Sequence, residues 1–201
     1  MIIKTVAKET SVSFEIKKSK FIGTAANAKT PEEAAAFVEK IRAENRKSRH
    51  VAYAFVTDEL KKYSDDGEPQ GTAGKPILSV LEKNGLSSSV ITVTRYFGGI
   101  LLGAGPLTGA YTKAAADAVA AAEIDRYFYA KSAQITVSYN LYGKIGALLS
   151  EVKTDEPIFT DNVSVRVYVA EEDFDKFAAD LTELTNGAAE ISDFLCSYTK
   201  F

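Results

Sequence analysis

The chain has 201 residues, 46% of them apolar, enough for one large or two small packed cores. It holds no apolar run near the roughly 18–20 residues of a membrane span, and its single cysteine, Cys196, excludes an internal disulfide and a cysteine-built zinc site. The net charge of −3 is unevenly placed: residues 1–130 carry 18 Lys and Arg against 15 Asp and Glu, and residues 131–201 carry 6 against 12.

The opening stretch MIIKTVAKETSVSF has a lysine but no apolar segment ahead of a small-residue cleavage site, so no secretion signal is expected and the cytoplasm is the expected address. Residues 12–16 and 21–25 read as strands. Thr30-Pro31-Glu32-Glu33 then supplies an N-cap, a proline at the first helical position and a capping-box glutamate. Ala34, Phe37, Val38 and Ile41 recur at helical spacing behind it, leaving Lys40, Arg42 and Glu44 to water. Residues 51–56 read as a further strand and 59–72 as a polar loop. Pro76 opens a helix through Ile77, Leu78, Val80 and Leu81, stopped by Asn84-Gly85. The β-branched run SVITVTRY predicts a strand over 89–96, which leads into GGILLGAG, and Pro106 starts an alanine-rich helix to about Ala122.

A second unit begins near Ala133. Ile135, Val137 and Tyr139 alternate with polar residues, and Leu141, Ile145, Leu148, Leu149 and Val152 mark a helix. Val163, Val165, Val167 and Val169 alternate in a strand, Phe174, Phe177, Leu181 and Leu184 mark a second helix, and residues 188–196 read as a last strand that takes Cys196 as a small core residue. The order β-α-β-β-α-β is that of a ferredoxin-like sandwich. The expected architecture is α+β, with domains over 1–130 and 131–201 and the boundary at 129–132.

Two stretches carry the chemistry. DDGEPQGTAGKP, residues 65–76, is too rich in glycine and proline for a regular element. Gly71, Thr72 and Gly74 belong to it, and amides near Pro76 can meet an anion at the helix N-terminus. Asp65, Asp66 and Glu68 either hold a magnesium ion or solvate a loop. In RYFGGILLGAG, residues 95–105, a strand runs into Gly98, Gly99, Gly103 and Gly105, which either cradle phosphate on backbone amides or make a tight connection where space is short. The stretch has neither the GK[ST] ending of a P-loop nor the G-x-G-x-x-G spacing. Arg95, at the end of an apolar strand, is either paired to one of the three carboxylates or waiting for an anion. Tyr96 and Phe97 either stack on a base or belong to the core.

His50 is the only histidine, which excludes a histidine-rich metal site. Serines are plentiful, but none sits on a nucleophile elbow, so no catalytic residue, cofactor or metal is assigned. Lys20 brings positive charge near the loops. Together with Lys17, Lys18, Arg42, Arg46, Lys47 and Arg49 it makes the front half basic, as for a phosphate-rich partner or an ordinary solvated surface.

At these residues the chain resembles the IMPACT/YigZ family, in its bacterial two-domain form. The resemblance rests on Lys18-Ser19-Lys20-Phe21-Ile22-Gly23, on Arg49-His50 before Ala52-Tyr53, on Asp65-Asp66-Gly67-Glu68-Pro69 with Gly71-Thr72-Ala73-Gly74 and Pro76, and on TRYFGGILLGAG over 94–105. It covers the first domain strongly and reaches the second through the element order and Tyr142-Gly143. It implies a first domain like the second domain of a small-subunit ribosomal protein and a second similar to the fifth domain of elongation factor G. Eukaryotic members regulate translation by interfering with activation of the amino-acid-starvation kinase, through an additional interaction domain outside the stretch matched here. Pro106 stands where relatives often have glycine, Lys75 where arginine is common, and Leu101 and Thr108 where basic residues are frequent.

Three readings follow. The first is a non-enzymatic regulatory or binding protein connected with translation, whose partner is RNA, the ribosome or a translation-regulating protein. The second is an enzyme or sensor for a small phosphorylated ligand, with the glycines and Arg95 on phosphate and the acidic residues on magnesium. In the third, both loops are structural and function lies at a protein interface. Oligomeric state is not written in the sequence.

Overall fold

A computed structural model describes residues 2–200 of the chain, which divides into two compact units, one over residues 3–125 and the other from Arg126 onward together with Ile2. The architecture is α+β, built on two sheets. No helix among the described residues is long and apolar enough to cross a membrane.

In the first unit, β1 (Ile2–Val6) is followed by β2 (Thr10–Ile16), β3 (Ser19–Asn27), α1 (Pro31–Glu44), β4 (His50–Val56), β5 (Lys61–Ser64), α2 (Gly74–Lys83), β6 (Ser89–Tyr96) and α3 (Ala104–Ala121). Five strands form a sheet in the order β2-β3-β6-β4-β5, each pair antiparallel. The central strands are apolar on both faces because both faces are covered. Ala52, Ala54, Ile91 and Val93 pack with Ile77, Leu81, Tyr111, Ala114 and Ala118 of α2 and α3. Their neighbours Phe55 and Val90 pack instead with Ala34 and Val38 of α1. Small residues on α3 let it lie close to the sheet: a Cβ on Gly23 would stand 2.1 Å from the Ala114 carbonyl oxygen. The Thr30 hydroxyl caps α1 by accepting from the Glu33 amide at 3.3 Å, and the Glu33 carboxylate reaches back to the Lys29 amide at 2.7 Å.

In this unit two strands escaped the sequence reading. β1 has only a short apolar run, and β5 (KKYS) is an exposed edge strand whose polar composition looks like loop. The two helices near the site begin two residues earlier than their prolines suggested, at Gly74 and Ala104.

In the second unit, β7 (Ile124–Val137), α4 (Tyr139–Ser150), the two-residue strands β8 (Lys153–Thr154) and β9 (Ile158–Phe159), β10 (Val163–Ala170), α5 (Phe174–Thr185) and β11 (Glu190–Lys200) follow one another. β7 lies between β11 and β10, while β8 and β9 both pair with β10. Ala133, Ile135, Val137 and alternate valines of β10 meet Ile145, Phe177 and Leu181 in a separate core. Residues 129–132, where the sequence reading put the boundary, lie inside β7. Cys196 is exposed rather than a core residue, because β11 packs on the second core only at Ile191; past the bulge that shifts the register between Ser192 and Leu195, Phe194 and Leu195 are exposed as well.

Candidate functional site

Arg95 is the last residue of β6 on the face that packs under α2 and α3. In register beside it are Phe21 on β3 and His50 on β4. Arg95 is only 5% exposed, and its Nη1 donates to Glu68 Oε1 at 2.7 Å. The Tyr111 hydroxyl, fully buried on α3, donates to the same oxygen at 2.8 Å. Burial, reinforced by the Glu68 charge and that hydrogen bond, pushes the Tyr111 hydroxyl far above the ordinary phenol range. The guanidinium lies 5.5 Å from the Phe21 ring centre and 5.4 Å from that of Phe97. Its Nε, closed to solvent, finds no hydrogen-bond partner among the described residues.

His50 Nδ1 is 2.7 Å from the Asp66 carbonyl oxygen. That oxygen can only accept, which assigns the ring proton to Nδ1 and leaves Nε2 of the neutral ring bare. Nε2 stands 3.9 Å from Glu68 Oε1.

The three carboxylates of the acidic loop point three ways. Asp65 accepts from the amides of Gly71, Ala73 and Gly74 at 2.8, 3.0 and 2.8 Å, closing the N-terminus of α2. Its burial works to raise its pKa, but the three N–H donors outweigh this and hold it below the usual carboxylate value. Asp66 accepts from Arg42 Nη2 at 2.7 Å and from the Val51 amide at 2.6 Å, while Glu68 belongs to Arg95 and Tyr111. No three His, Cys, Asp or Glu side chains among the described residues converge as a metal site would require. A shared magnesium on Asp65, Asp66 and Glu68, and open amides near Pro76, were both expected as options; in each case the protein's own groups occupy the ligand's place. The Thr72 hydroxyl donates to the Pro69 carbonyl at 2.6 Å, so it too is part of the loop's scaffold.

The open helix end is that of α3. Its N-cap, Gly103, sits at φ 82°, where glycine is favoured, and offers no side chain to close the first turn. Pro106 has no N–H, so Ala104 and Gly105 are the first-turn donors without an intrahelical partner. This end faces a cavity of about 380 Å³ lined by Arg49, His50, Glu68, Arg95 and Gly103, with Phe97, Leu101, Leu102 and Leu107 as apolar wall. Arg49 is exposed and lies 5.7 Å from the Phe97 ring centre. Gly98 anchors the other end of the connection: a Cβ there would come 2.1 Å from the Lys18 carbonyl, and its amide donates to Ser19 Oγ at 3.1 Å.

The structure thus brings His50, Glu68, Arg95, Phe97 and Gly103 to one cavity. Asp65, Asp66, Gly71, Thr72 and Gly74 build the loop behind it. Gly98, Gly99 and Gly105 flank the lining. Tyr96 bonds Asn45 through its hydroxyl at 2.8 Å, and Lys20 is exposed opposite Glu15 and Tyr96. Sequence reading missed Tyr111, the only phenol within the apolar stripe of an alanine-rich helix, and the cavity roles of Arg49, Leu102 and Leu107. Nothing in their spacing separates them from core and surface. A wider groove of about 880 Å³ in the second unit mixes Glu171, Glu172, Asp173 and Asp180 with Lys153 and Lys176. Unlike the smaller cavity, it is lined by no buried side-chain nitrogen or oxygen lacking a partner among the described residues.

Comparison with known proteins places this site in a family. Residues 17–119 match the Impact N-terminal domain, which covers the whole cavity, and residues 135–188 match a domain of unknown function, DUF1949. The chain is 36% identical to IMPACT family member YvyE of Bacillus subtilis, over 91% of this chain and 87% of that one. It is 35% identical to IMPACT family member YigZ of Escherichia coli, over 92% and 94% respectively. A solved crystal structure described as that of a hypothetical protein shares 34% identity with a TM-score of 0.62, covering 94% of this chain and 96% of its own. The chain belongs to the IMPACT family.

Proposed function

We propose that the protein is a non-enzymatic binding protein connected with translation, and that its first unit engages RNA through the end of the sheet where the cavity opens. The observation that carries this is the gathering of charge there. The β2–β3 turn brings Lys17 and Lys18, β3 begins with Lys20 nearby, and the segment leading into β4 adds Arg46, Lys47 and Arg49. None of the six forms an ion pair among the described residues. Acidic groups at this end are few: Glu15 lies across from Lys20, and Glu44 pairs with Lys40. Asp66 and Glu68 are neutralised by Arg42 and Arg95.

The turn adds weight. Lys17 and Lys18 both hold left-handed backbone, at φ 45° and 64°, where Asn-Gly is the favoured pair. Retaining two lysines there costs stability, as strained positions at working sites do. The likeness of the two domains to parts of a ribosomal protein and of elongation factor G, which the resemblance implies, agrees with RNA or ribosome contact, although shared fold alone is weak support. The test is binding of a fluorescent single-stranded RNA across a salt series. About four phosphate contacts give a slope near −3 in log Kd-type plots of affinity against salt. Affinity that is flat against salt, or no binding at 50 mM salt as a low-screening condition, sinks the proposal.

A further inference from the structure

We infer that the wide groove of the second unit is a docking site for an extended peptide segment rich in arginine and lysine, contributed by a partner protein. Two independent features carry this, an aromatic floor and an acidic rim. On the floor, Tyr129 and Tyr198 stand directly opposite each other on β7 and β11, with ring centres 5.2 Å apart and planes tilted by 63°. They are 36% and 48% exposed, and Ile2, 55% exposed, extends the apolar surface. Aromatic rings left open to water are the surface on which guanidinium and ammonium groups stack. The groove holds about 880 Å³, near the top of the range for drug-sized ligands, and much of its lining is exposed. It suits a chain lying across the surface better than an enclosed small molecule.

The rim sets the charge of the occupant. Glu151, Glu171, Glu172, Asp173 and Asp180 line the groove against Lys153 and Lys176. None of the five carboxylates forms an ion pair among the described residues. Lys153 is already engaged, since its ammonium bonds the Lys200 carbonyl and lies 5.8 Å from the Tyr168 ring centre. Helix electrostatics explain part of this rim and leave the rest. Glu171, Glu172 and Asp173 precede α5, where the helix dipole favours a carboxylate. Glu151 is the C-cap of α4, the end at which a carboxylate is disfavoured. A carboxylate kept at such an end, beside others without cationic partners, leaves a negative strip that a basic segment neutralises. An acidic or phosphate-bearing segment is repelled from the same groove.

The inference is independent of the RNA reading, which concerns the first unit. Fluorescence anisotropy of the full chain with a labelled peptide alternating arginine and alanine, at about 50 mM salt as a low-screening condition, tests it. We expect binding that weakens as salt rises, and none with a matched peptide alternating glutamate and alanine. Tyr198→Ala, at an exposed position, should lose about threefold or more. Glu171→Lys with Glu172→Lys should lose about tenfold or more, and Lys176→Glu should tighten binding about threefold, a gain that partial unfolding cannot mimic. Glu183→Lys with Glu190→Lys moves the unit's charge equally at exposed positions outside the groove lining, and should change affinity by no more than about twofold. No anisotropy change with the arginine peptide, equal losses from the two reversed pairs, or a Lys176→Glu variant that binds as the parent overturns the inference. Spermine that displaces the peptide at equal concentration also overturns it, in favour of a small polycation site. RNA binding with a steep salt slope that survives any of these failures leaves the reading of the first unit standing, and peptide binding without RNA binding does the reverse.

Discussion

Three carboxylates within four residues, Asp65, Asp66 and Glu68, look equivalent on paper and differ in every physical respect in the fold. Asp65 does the work of a helix cap from nine residues away, accepting three amides that would otherwise be orphaned. Asp65→Ala should destabilise the first unit by about 2 kcal/mol, the upper end for a lost cap, read from the urea midpoint at pH 7. The pH dependence has a definite sign. Because its folded-state pKa is depressed, Asp65 contributes stability that is present above the unfolded carboxylate value and is lost as pH falls through the folded one. The parent and the variant should therefore differ most near neutrality and converge as pH falls through the depressed folded-state value. Equal midpoints at pH 7 would remove Asp65 from this role. Glu68 and Arg95 form a buried pair, for which loss of one partner is the costly event. Arg95→Met alone should cost about 3 kcal/mol or more, and Arg95→Met with Glu68→Gln less than the sum of the singles, since the second change removes the stranded charge. Additive losses in that cycle would mean that the two groups are not coupled.

At the scale of elements, the connections between strands and helices explain which sequence signals were readable. Period-3.6 and period-2 patterns marked α1, β10 and α5 because each buries one side against a core, β6 was marked by a β-branched run because it is covered on both faces, and Thr30 marked the start of α1 because its cap is local. The glycines were visible but mute. Gly98 is required by close approach to Lys18, a contact 80 residues away in sequence that no spacing rule can show; Gly105, in the same run, meets nothing within 4 Å. Gly98→Ala should thus unfold or displace the β2–β3 turn at a cost above about 2 kcal/mol, while Gly105→Ala should leave stability unchanged or raise it by about 0.5 kcal/mol. Similar losses at both positions in a chemical-denaturation comparison would reject this division. The β2–β3 turn itself separates stability from binding. Lys17→Asn with Lys18→Gly supplies the pair that left-handed turn positions favour, and should raise stability by about 1 kcal/mol while lowering RNA affinity several-fold. Unchanged RNA affinity in that stabilised variant would mean the two lysines are ordinary surface.

Across the whole molecule, the family and the α+β class were legible because the motif residues that carry them are contiguous: Asp65–Gly74 as one block and the run from Thr94 as another. The cavity was not legible as a unit, since its lining comes from β4, the acidic loop, β6 and α3, and only the antiparallel register sets His50 and Phe21 beside Arg95. The charge split, by contrast, could be counted directly, and its meaning is now testable by position rather than by total. If RNA binding followed net charge, reversing any two charges of the same sign would change it equally. If it follows the basic sheet end of the first unit, position decides. Lys47→Glu with Arg46→Glu should weaken RNA binding about tenfold or more and flatten the salt slope by about 1.4, that is, by two phosphate contacts. Glu171→Lys with Glu172→Lys, which moves the second unit's charge by the same amount in the opposite sense, should shift affinity by no more than about twofold and leave the slope alone. Equal and opposite effects from the two pairs would make the binding a property of overall charge, and the basic end of the sheet would then carry no special role.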